Sequence, residues 1–118
     1  MRILIAALAL LSAACSPMAE QAPGAGTPGQ SAAAACAAQN GSLQPVGRMQ
    51  SIQCVIRYAD AGKRCTDGDQ CGGDCLVAET GSVEAGQAAV GQCAPTSNRF
   101  GCATRVEDGK ADATLCID

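Results

Sequence analysis

The sequence predicts a small disulfide-rich domain built mostly of antiparallel β hairpins, with one short helix at its N-terminal end. Nine cysteines occur in 118 residues, whereas the chain has one Phe, one Tyr and no Trp. A domain with so few large side chains gains little from burial, so cross-links must supply much of its stability. Short apolar runs separated by Gly, Asn and Asp, without sustained helical periodicity, favour hairpins over helices.

Residues 1–14 are typical of an export signal. Arg2 gives a positive start, residues 3–11 form an unbroken apolar run, and small residues lead up to Cys15. This pattern is that of a secretory signal peptide, and the run is too short to cross a bilayer as a helix. We therefore expect residues 1–14 to be removed on export.

The segment LLSAACSP around Cys15 resembles the cleavage region of bacterial lipoprotein signals. The resemblance implies that Cys15 becomes the N-terminus, carries palmitate or related acyl chains, and anchors the protein in a membrane. Ser16, in place of Asp, is similar to the outer-membrane sorting pattern. Ser12 stands where that class prefers Leu, which leaves ordinary signal cleavage, and a soluble periplasmic or secreted protein, as the alternative.

Residues 15–31 predict a flexible, lipid-anchored tether. The stretch SPMAEQAPGAGTPGQS is rich in Pro, Gly, Ala and small polar residues and has no apolar periodicity. Such a composition cannot bury enough surface to order itself. The folded, disulfide-stapled domain is therefore expected over residues 32–118.

Assigning Cys15 to lipid leaves an even number of cysteines for the folded domain. An even count in a short exported chain predicts a disulfide framework. We favour a bond between Cys36 and Cys54, which would attach the helix to the second strand, and the sequence leaves the other pairings open. The four predicted disulfides draw on Cys36, Cys54, Cys65, Cys71, Cys75, Cys93, Cys102 and Cys116.

The element boundaries follow from turn residues and apolar alternation. We expect a helix over 32–39 that ends at Asn40-Gly41 with a left-handed residue. Pro45 cannot donate a ladder hydrogen bond, so we expect the strand that contains it to lie at a sheet edge. Further strands are expected over 42–48, 51–58, 76–78, 88–93, 100–106 and 111–117. The expected core is Leu43, Val46, Ile52, Val55, Ile56, Leu76, Val77, Val90, Phe100, Val106, Leu115 and Ile117.

The turn at residues 107–110 sets the register of the last hairpin, because Asp-Gly suits turns that need positive φ. A three-residue loop places Cys102 opposite Thr114, with Cys116 as a diagonal neighbour about 7–8 Å away, beyond comfortable disulfide reach. A longer loop places Cys102 opposite Cys116. The sequence leaves both registers open.

The stretch CTDGDQCGGDC, residues 65–75, raises the question of a metal site. Asp67 and Asp69 fall at the first and third positions of a calcium loop, but Cys71 and Ala78 occupy the fifth and twelfth positions. Zinc is disfavoured because the spacing is not CxxC and the chain has no histidine. The lack of CxxC also argues against redox catalysis. We predict tight turns between half-cystines, with no metal and no cofactor.

Composition also bears on function. The net charge of −3 and the two aromatic residues disfavour a nucleic-acid partner. A chain without histidine contains no ordinary catalytic triad, and no phosphate-binding glycine motif is present. The sequence therefore predicts a protein that is not an enzyme.

The spacing of Cys36, Cys54, DAGKRC, CGGDC, Cys93, RFGC and LCID resembles small cysteine-rich predicted lipoproteins of proteobacteria. The resemblance implies an envelope location and a disulfide fold, and it brings no functional residues. It favours a non-catalytic cell-envelope lipoprotein, a tethered binding or structural module with an unidentified ligand or protein partner. The alternative is an inhibitor of a protease or other secreted enzyme that presents the loop 79–89.

Overall fold

The computed structural model describes residues 28–118, so the predicted signal peptide over 1–14, Cys15 and the part of the predicted tether up to residue 27 lie outside the described part of the chain. Within it, the chain forms a small disulfide-rich β domain with one short helix, as the sequence predicts. The elements are α1 (Pro28–Ala38), β1 (Gly41–Val46), β2 (Ser51–Ile56), β3 (Arg64–Cys65), a 3-10 turn (Gly68–Gln70), β4 (Cys75–Leu76), β5 (Gly91–Cys93), β6 (Gly101–Ala103), β7 (Val106–Glu107), β8 (Lys110–Ala111) and β9 (Leu115–Ile117).

Helix α1 begins at Pro28, earlier than expected, and therefore includes the last residues assigned to the tether. Proline is favoured at the first helical position because its missing N–H needs no partner there. The helix ends as predicted: Asn40 takes the left-handed conformation with φ of 61°. Among residues 29–38 of this helix Cys36 alone is buried, and its bond to Cys54 confirms the expected pairing. Among residues 28–118, no helix is long and apolar enough to cross a membrane.

Strands β1 and β2 form a two-stranded antiparallel sheet in which Gly41 faces Ile56 and Val46 faces Ser51. Within residues 28–118, β1 pairs with β2 alone, so its outer edge tolerates Pro45. The hairpin is fixed to the rest of the domain by reciprocal bonds, from the Ile56 amide to Ser97 Oγ and from the Ser97 amide to the Ile56 carbonyl, both 2.9 Å.

The central sheet has the order β3-β5-β4, with all pairs antiparallel. The pairing of β4 with β5 was predicted, although both strands are shorter than expected. Strand β3 was not predicted, because Arg64–Cys65 is too short to show alternation. Cys75 lies opposite Cys93 in the ladder, which places two half-cystines of different disulfides side by side.

The C-terminal hairpin settles the register that the sequence left open. Asp108 and Gly109, with φ of 49° and 73°, form a two-residue turn between β7 and β8. Two residues then separate β6 from β7, whereas three separate β8 from β9. This extra residue shifts the ladder, so Cys102 lies opposite Cys116 and bonds to it. The register that placed Cys102 opposite Thr114 is therefore wrong.

Half-cystines form much of the core. The central buried cluster contains Cys65, Cys75 and Cys93 with Val77 and Val106. The predicted set of core residues was too large, because four of its members are exposed in the structure: Ile52, Val90, Leu115 and Ile117. The physical reason is that short strands and disulfides fill a small interior, which leaves no room for every aliphatic side chain.

Exposure predicts the order in which the disulfides are reduced. Cys102 and Cys116 are exposed, whereas Cys65 and Cys75 are 2% and 1% accessible, and thiol exchange requires access to sulfur. Under graded reductant without denaturant, we expect iodoacetamide to label Cys102 and Cys116 first and Cys65 and Cys75 last. Peptide mass spectrometry checks this order. Simultaneous labelling of all eight cysteines at every reductant concentration would contradict it.

Candidate functional site

The cysteines of residues 65–75 belong to two neighbouring disulfides. Cys65 bonds to Cys75, and Cys71 bonds to Cys93. The sulfurs of Cys65, Cys71 and Cys75 lie within 4.8 Å of one another, a separation that a metal ion could bridge. Metal binding requires thiolates, and here each sulfur is bonded to another sulfur. The arrangement is therefore a pair of packed cross-links.

The aspartates of the same stretch point to different partners. Asp67 accepts the Asp69 amide at 2.8 Å and the Asp108 amide at 2.9 Å, which attaches this stretch to the β7–β8 turn. Asp74 instead accepts Arg99 Nη2 at 2.9 Å. Because these carboxylates are committed to separate partners, they do not converge on one ion as a calcium loop requires.

The two glycines of CGGDC, Gly72 and Gly73, allow close packing beside the second disulfide. A Cβ at Gly73 would overlap the ring of Tyr58. The Gly72 amide donates to Asp60 Oδ2 at 2.7 Å, while Asp60 Oδ1 is buried and has no hydrogen-bond partner among the described residues. Glycine is required here because the backbone itself packs on the aromatic ring.

A groove of about 180 Å³ lies on one face of the β6–β9 sheet. Small residues of β6 face large residues of β9: Gly101 is opposite Ile117, and Ala103 is opposite Leu115. Ala103, Leu115 and Ile117 line the groove together with Leu76 of β4. Leu115 and Ile117 remain 57% and 41% exposed. Exposed aliphatic side chains in a concavity are characteristic of binding sites.

Phe100 forms one side of this groove, hereafter the β6–β9 groove, and the first hairpin positions its ring. Gly47, in the β1–β2 turn, has φ of 69°, and a Cβ built there would lie 2.6 Å from Phe100 Cε1. Glycine thus supplies both the left-handed backbone and the space for the ring. Arg48 and Asp118, 3.5 Å apart, form an exposed ion pair that joins the same turn to the last residue.

Charged groups border the apolar wall of the groove. Asp74 lies between two arginines: Arg99 Nη2 is 2.9 Å and Arg105 Nε is 3.9 Å from the same oxygen, Oδ1. Asp112 also lines the groove. An apolar concavity with a few convergent polar groups is the usual form of a small-molecule site.

The loop 79–89, expected to be the contact surface of an inhibitor, is attached to the last hairpin. The Gly86 amide donates to the Ala111 carbonyl at 2.8 Å, the Ala89 amide donates to the Gly109 carbonyl at 2.9 Å, and the Gly81 amide donates to Thr104 Oγ1 at 3.3 Å. The loop contains no Arg, Lys or aromatic residue that could fill a partner's pocket. The β6–β9 groove is the better candidate site.

Comparison with known proteins adds no relative: no family model, no curated protein and no solved structure matches the chain. The candidate site therefore depends on the geometry of this chain alone.

The sequence did not reveal the β6–β9 groove. Asp74 is 25 residues from Arg99 along the chain, and nothing in the sequence pattern indicates that it lies beside Arg99 and Arg105. The sequence does contain one indication of the groove: residues 101 and 103 are small, whereas residues 115 and 117 are large. These positions are seen to face each other only when the strand register is known, and that register depends on the extra residue between β8 and β9.

The hydrogen bonds to Asp67 predict a pH-dependent contribution to stability. The Asp69 amide, and then the Asp108 amide, hold the pKa of Asp67 below its ordinary value of 3.8. A lowered folded-state pKa means that the contribution is complete above the unfolded-state pKa and is lost as pH falls through the folded-state pKa. Asp67→Asn should therefore lower Tm at neutral pH, and its difference from the unsubstituted chain should shrink on acidification below 3.8.

Thermal unfolding followed by circular dichroism measures this difference. Asp69→Asn is the matched control, because within residues 28–118 the Asp69 carboxylate accepts no hydrogen bond although its amide donates one. A Tm difference for Asp67→Asn that stays constant across the acid range would contradict the assigned role.

Proposed function

We propose that this chain is a non-catalytic lipoprotein of the cell envelope, anchored through Cys15, whose disulfide-rich domain binds a ligand in the β6–β9 groove. One observation carries the anchor: the eight cysteines of residues 28–118 pair completely with each other. This leaves Cys15 as the odd cysteine, at the position where the sequence resembles a lipoprotein cleavage site.

The chemistry of the domain supports binding without catalysis. The chain has no histidine, and the eight cysteines of residues 28–118 are oxidised, so this domain offers neither an imidazole base nor a thiol nucleophile. Exposed aliphatic residues, the exposed Arg99 and the partly buried Arg105 line the β6–β9 groove. The resemblance of Ser16 to the outer-membrane sorting pattern supports an outer-membrane location, and the alternative is a soluble periplasmic or secreted protein.

Stable anchoring requires more than one acyl chain, because each buried CH₂ contributes only about 0.8 kcal/mol. A lipoprotein anchor of several chains meets this requirement. The residues between Cys15 and Pro28 would then set how far the domain lies from the bilayer. The ligand site would face the aqueous side of the membrane.

Replacing the proposed acylated residue tests the anchor. On expression in a Gram-negative host, Cys15→Ser should move the protein from the membrane fraction to the soluble fraction, because no sulfur remains to carry acyl chains. Intact mass spectrometry should show the acyl mass on the unsubstituted chain alone. Met18→Leu, a conservative change outside the cleavage site, serves as the control and should stay in the membrane fraction.

Membrane retention of Cys15→Ser, together with no acyl mass on the unsubstituted chain, would overturn the lipoprotein assignment. A soluble unsubstituted chain of mass consistent with ordinary signal cleavage would instead support the secreted alternative.

A further inference from the structure

Two arginines of the β6–β9 groove share one carboxylate. Arg99 donates to Asp74 Oδ1 at hydrogen-bond distance, whereas Arg105 Nε lies 3.9 Å from that oxygen. Arg99 is therefore hydrogen-bonded to Asp74, whereas Arg105 has no carboxylate at hydrogen-bond distance among the described residues. Asp112 also lines the groove, which balances the charges of the lining, but it forms no ion pair with either arginine within residues 28–118.

Arg105 is the guanidinium with unused donors. Within residues 28–118 its side chain makes no hydrogen bond, while its backbone is held by a bridge to Leu76 and by the Asp112 amide, which donates to its carbonyl at 2.9 Å. The side chain is 36% exposed, compared with 60% for Arg99. A partly desolvated cation interacts more strongly with an anion than a fully hydrated one does. The planar fork of arginine donors matches the two oxygens of a carboxylate.

The apolar part of the groove limits the size of the ligand. Its volume of about 180 Å³ is below the range of about 300–1,000 Å³ for sites of drug-sized ligands. Leu76, Leu115 and Ile117 line it, so the complementary group is a short hydrocarbon chain. The charged and apolar parts adjoin, because Leu76 pairs with Arg105 through an isolated β-bridge.

We propose that the β6–β9 groove binds a small carboxylate that carries a short apolar chain. Arg105 binds the carboxylate, and Leu76, Leu115 and Ile117 contact the hydrocarbon. Asp74 is a positioning residue, since it accepts a hydrogen bond from Arg99 beside the groove. This ligand class rests on the binding function proposed above and specifies it.

Three six-carbon probes separate the contributions of charge and chain. The protein is the full-length mature chain carrying Cys15→Ser, which has no acyl groups to compete for the site. Titrations with hexanoate, hexan-1-ol and hexylammonium are followed in amide ¹H–¹⁵N spectra. Hexanoate should shift the amides of residues 101–105 and 115–117 and bind more tightly than hexan-1-ol, and hexylammonium should bind most weakly.

Two variants assign the binding residues. Arg105→Gln should weaken hexanoate binding about tenfold or more, because hydrogen bonds to a charged partner are lost, and should leave hexan-1-ol binding unchanged. Ala103→Leu should abolish the binding of every probe by filling the groove. Arg64→Gln, an exposed arginine of β3 outside the groove, is the matched control and should bind hexanoate as the unsubstituted chain does. Dispersed amide spectra verify that each variant is folded.

The outcomes separate this inference from the proposed function. Equal binding of hexanoate and hexan-1-ol, or preference for hexylammonium, overturns the carboxylate assignment and leaves a binding groove. If no probe shifts the amide signals of the groove residues, the assignment of a short apolar ligand is overturned. The probe comparison needs no groove variant, so it decides the assignment even if Arg105→Gln fails to fold. The Cys15 experiment tests the anchor independently of these results.

Discussion

The two neighbouring disulfides Cys65–Cys75 and Cys71–Cys93 are the constraint on which the rest of this domain depends. Cys71 lies inside the loop that the first bond closes, and its own partner lies in β5, so the two bonds tie three short strands together. Strands of two or three residues form too few ladder bonds to be stable alone. Disulfides restrict the unfolded chain and typically contribute about 2–4 kcal/mol each, which is large beside the small apolar core available here.

The same cross-links position the β6–β9 groove. Asp74 and Leu76 flank Cys75, and Ala94 follows Cys93, so residues beside the half-cystines become groove residues. The Ala94 amide donates to the Asp74 carbonyl at 2.8 Å, which fixes the backbone that carries the shared carboxylate. The disulfides therefore hold the backbone of the groove in place. A preorganised site loses less conformational entropy when it binds a ligand. This relation explains how a chain with two aromatic residues can present a defined concave surface.

Features that depend on local chemistry could be predicted from the sequence, whereas those that depend on register could not. The left-handed residue Asn40, the Asp108-Gly109 turn and the even set of eight cysteines each follow from the residues themselves. The Cys102–Cys116 bond could not be predicted, because one extra residue between β8 and β9 changes which residues of β6 and β9 face each other. The β6–β9 groove was missed for the same reason, since its concavity comes from pairing small residues with large ones across strands.

The core was mispredicted for a different reason. Apolarity indicated that Ile52, Val90, Leu115 and Ile117 would be buried, but half-cystines occupy much of the interior. Two of these exposed residues, Leu115 and Ile117, line the proposed binding groove. The other two, Ile52 and Val90, do not line that groove, so exposure of an aliphatic residue alone does not identify the candidate site.

A comparison of two disulfide deletions tests the central claim most directly. We expect Cys71→Ala/Cys93→Ala to lose amide chemical-shift dispersion throughout the domain, because the core strands lose the bond that joins them. Cys102→Ala/Cys116→Ala, which removes a bond between exposed half-cystines at the edge, should keep native shifts over residues 41–97 and change only the last hairpin. A native spectrum and an unchanged Tm for Cys71→Ala/Cys93→Ala would contradict the account.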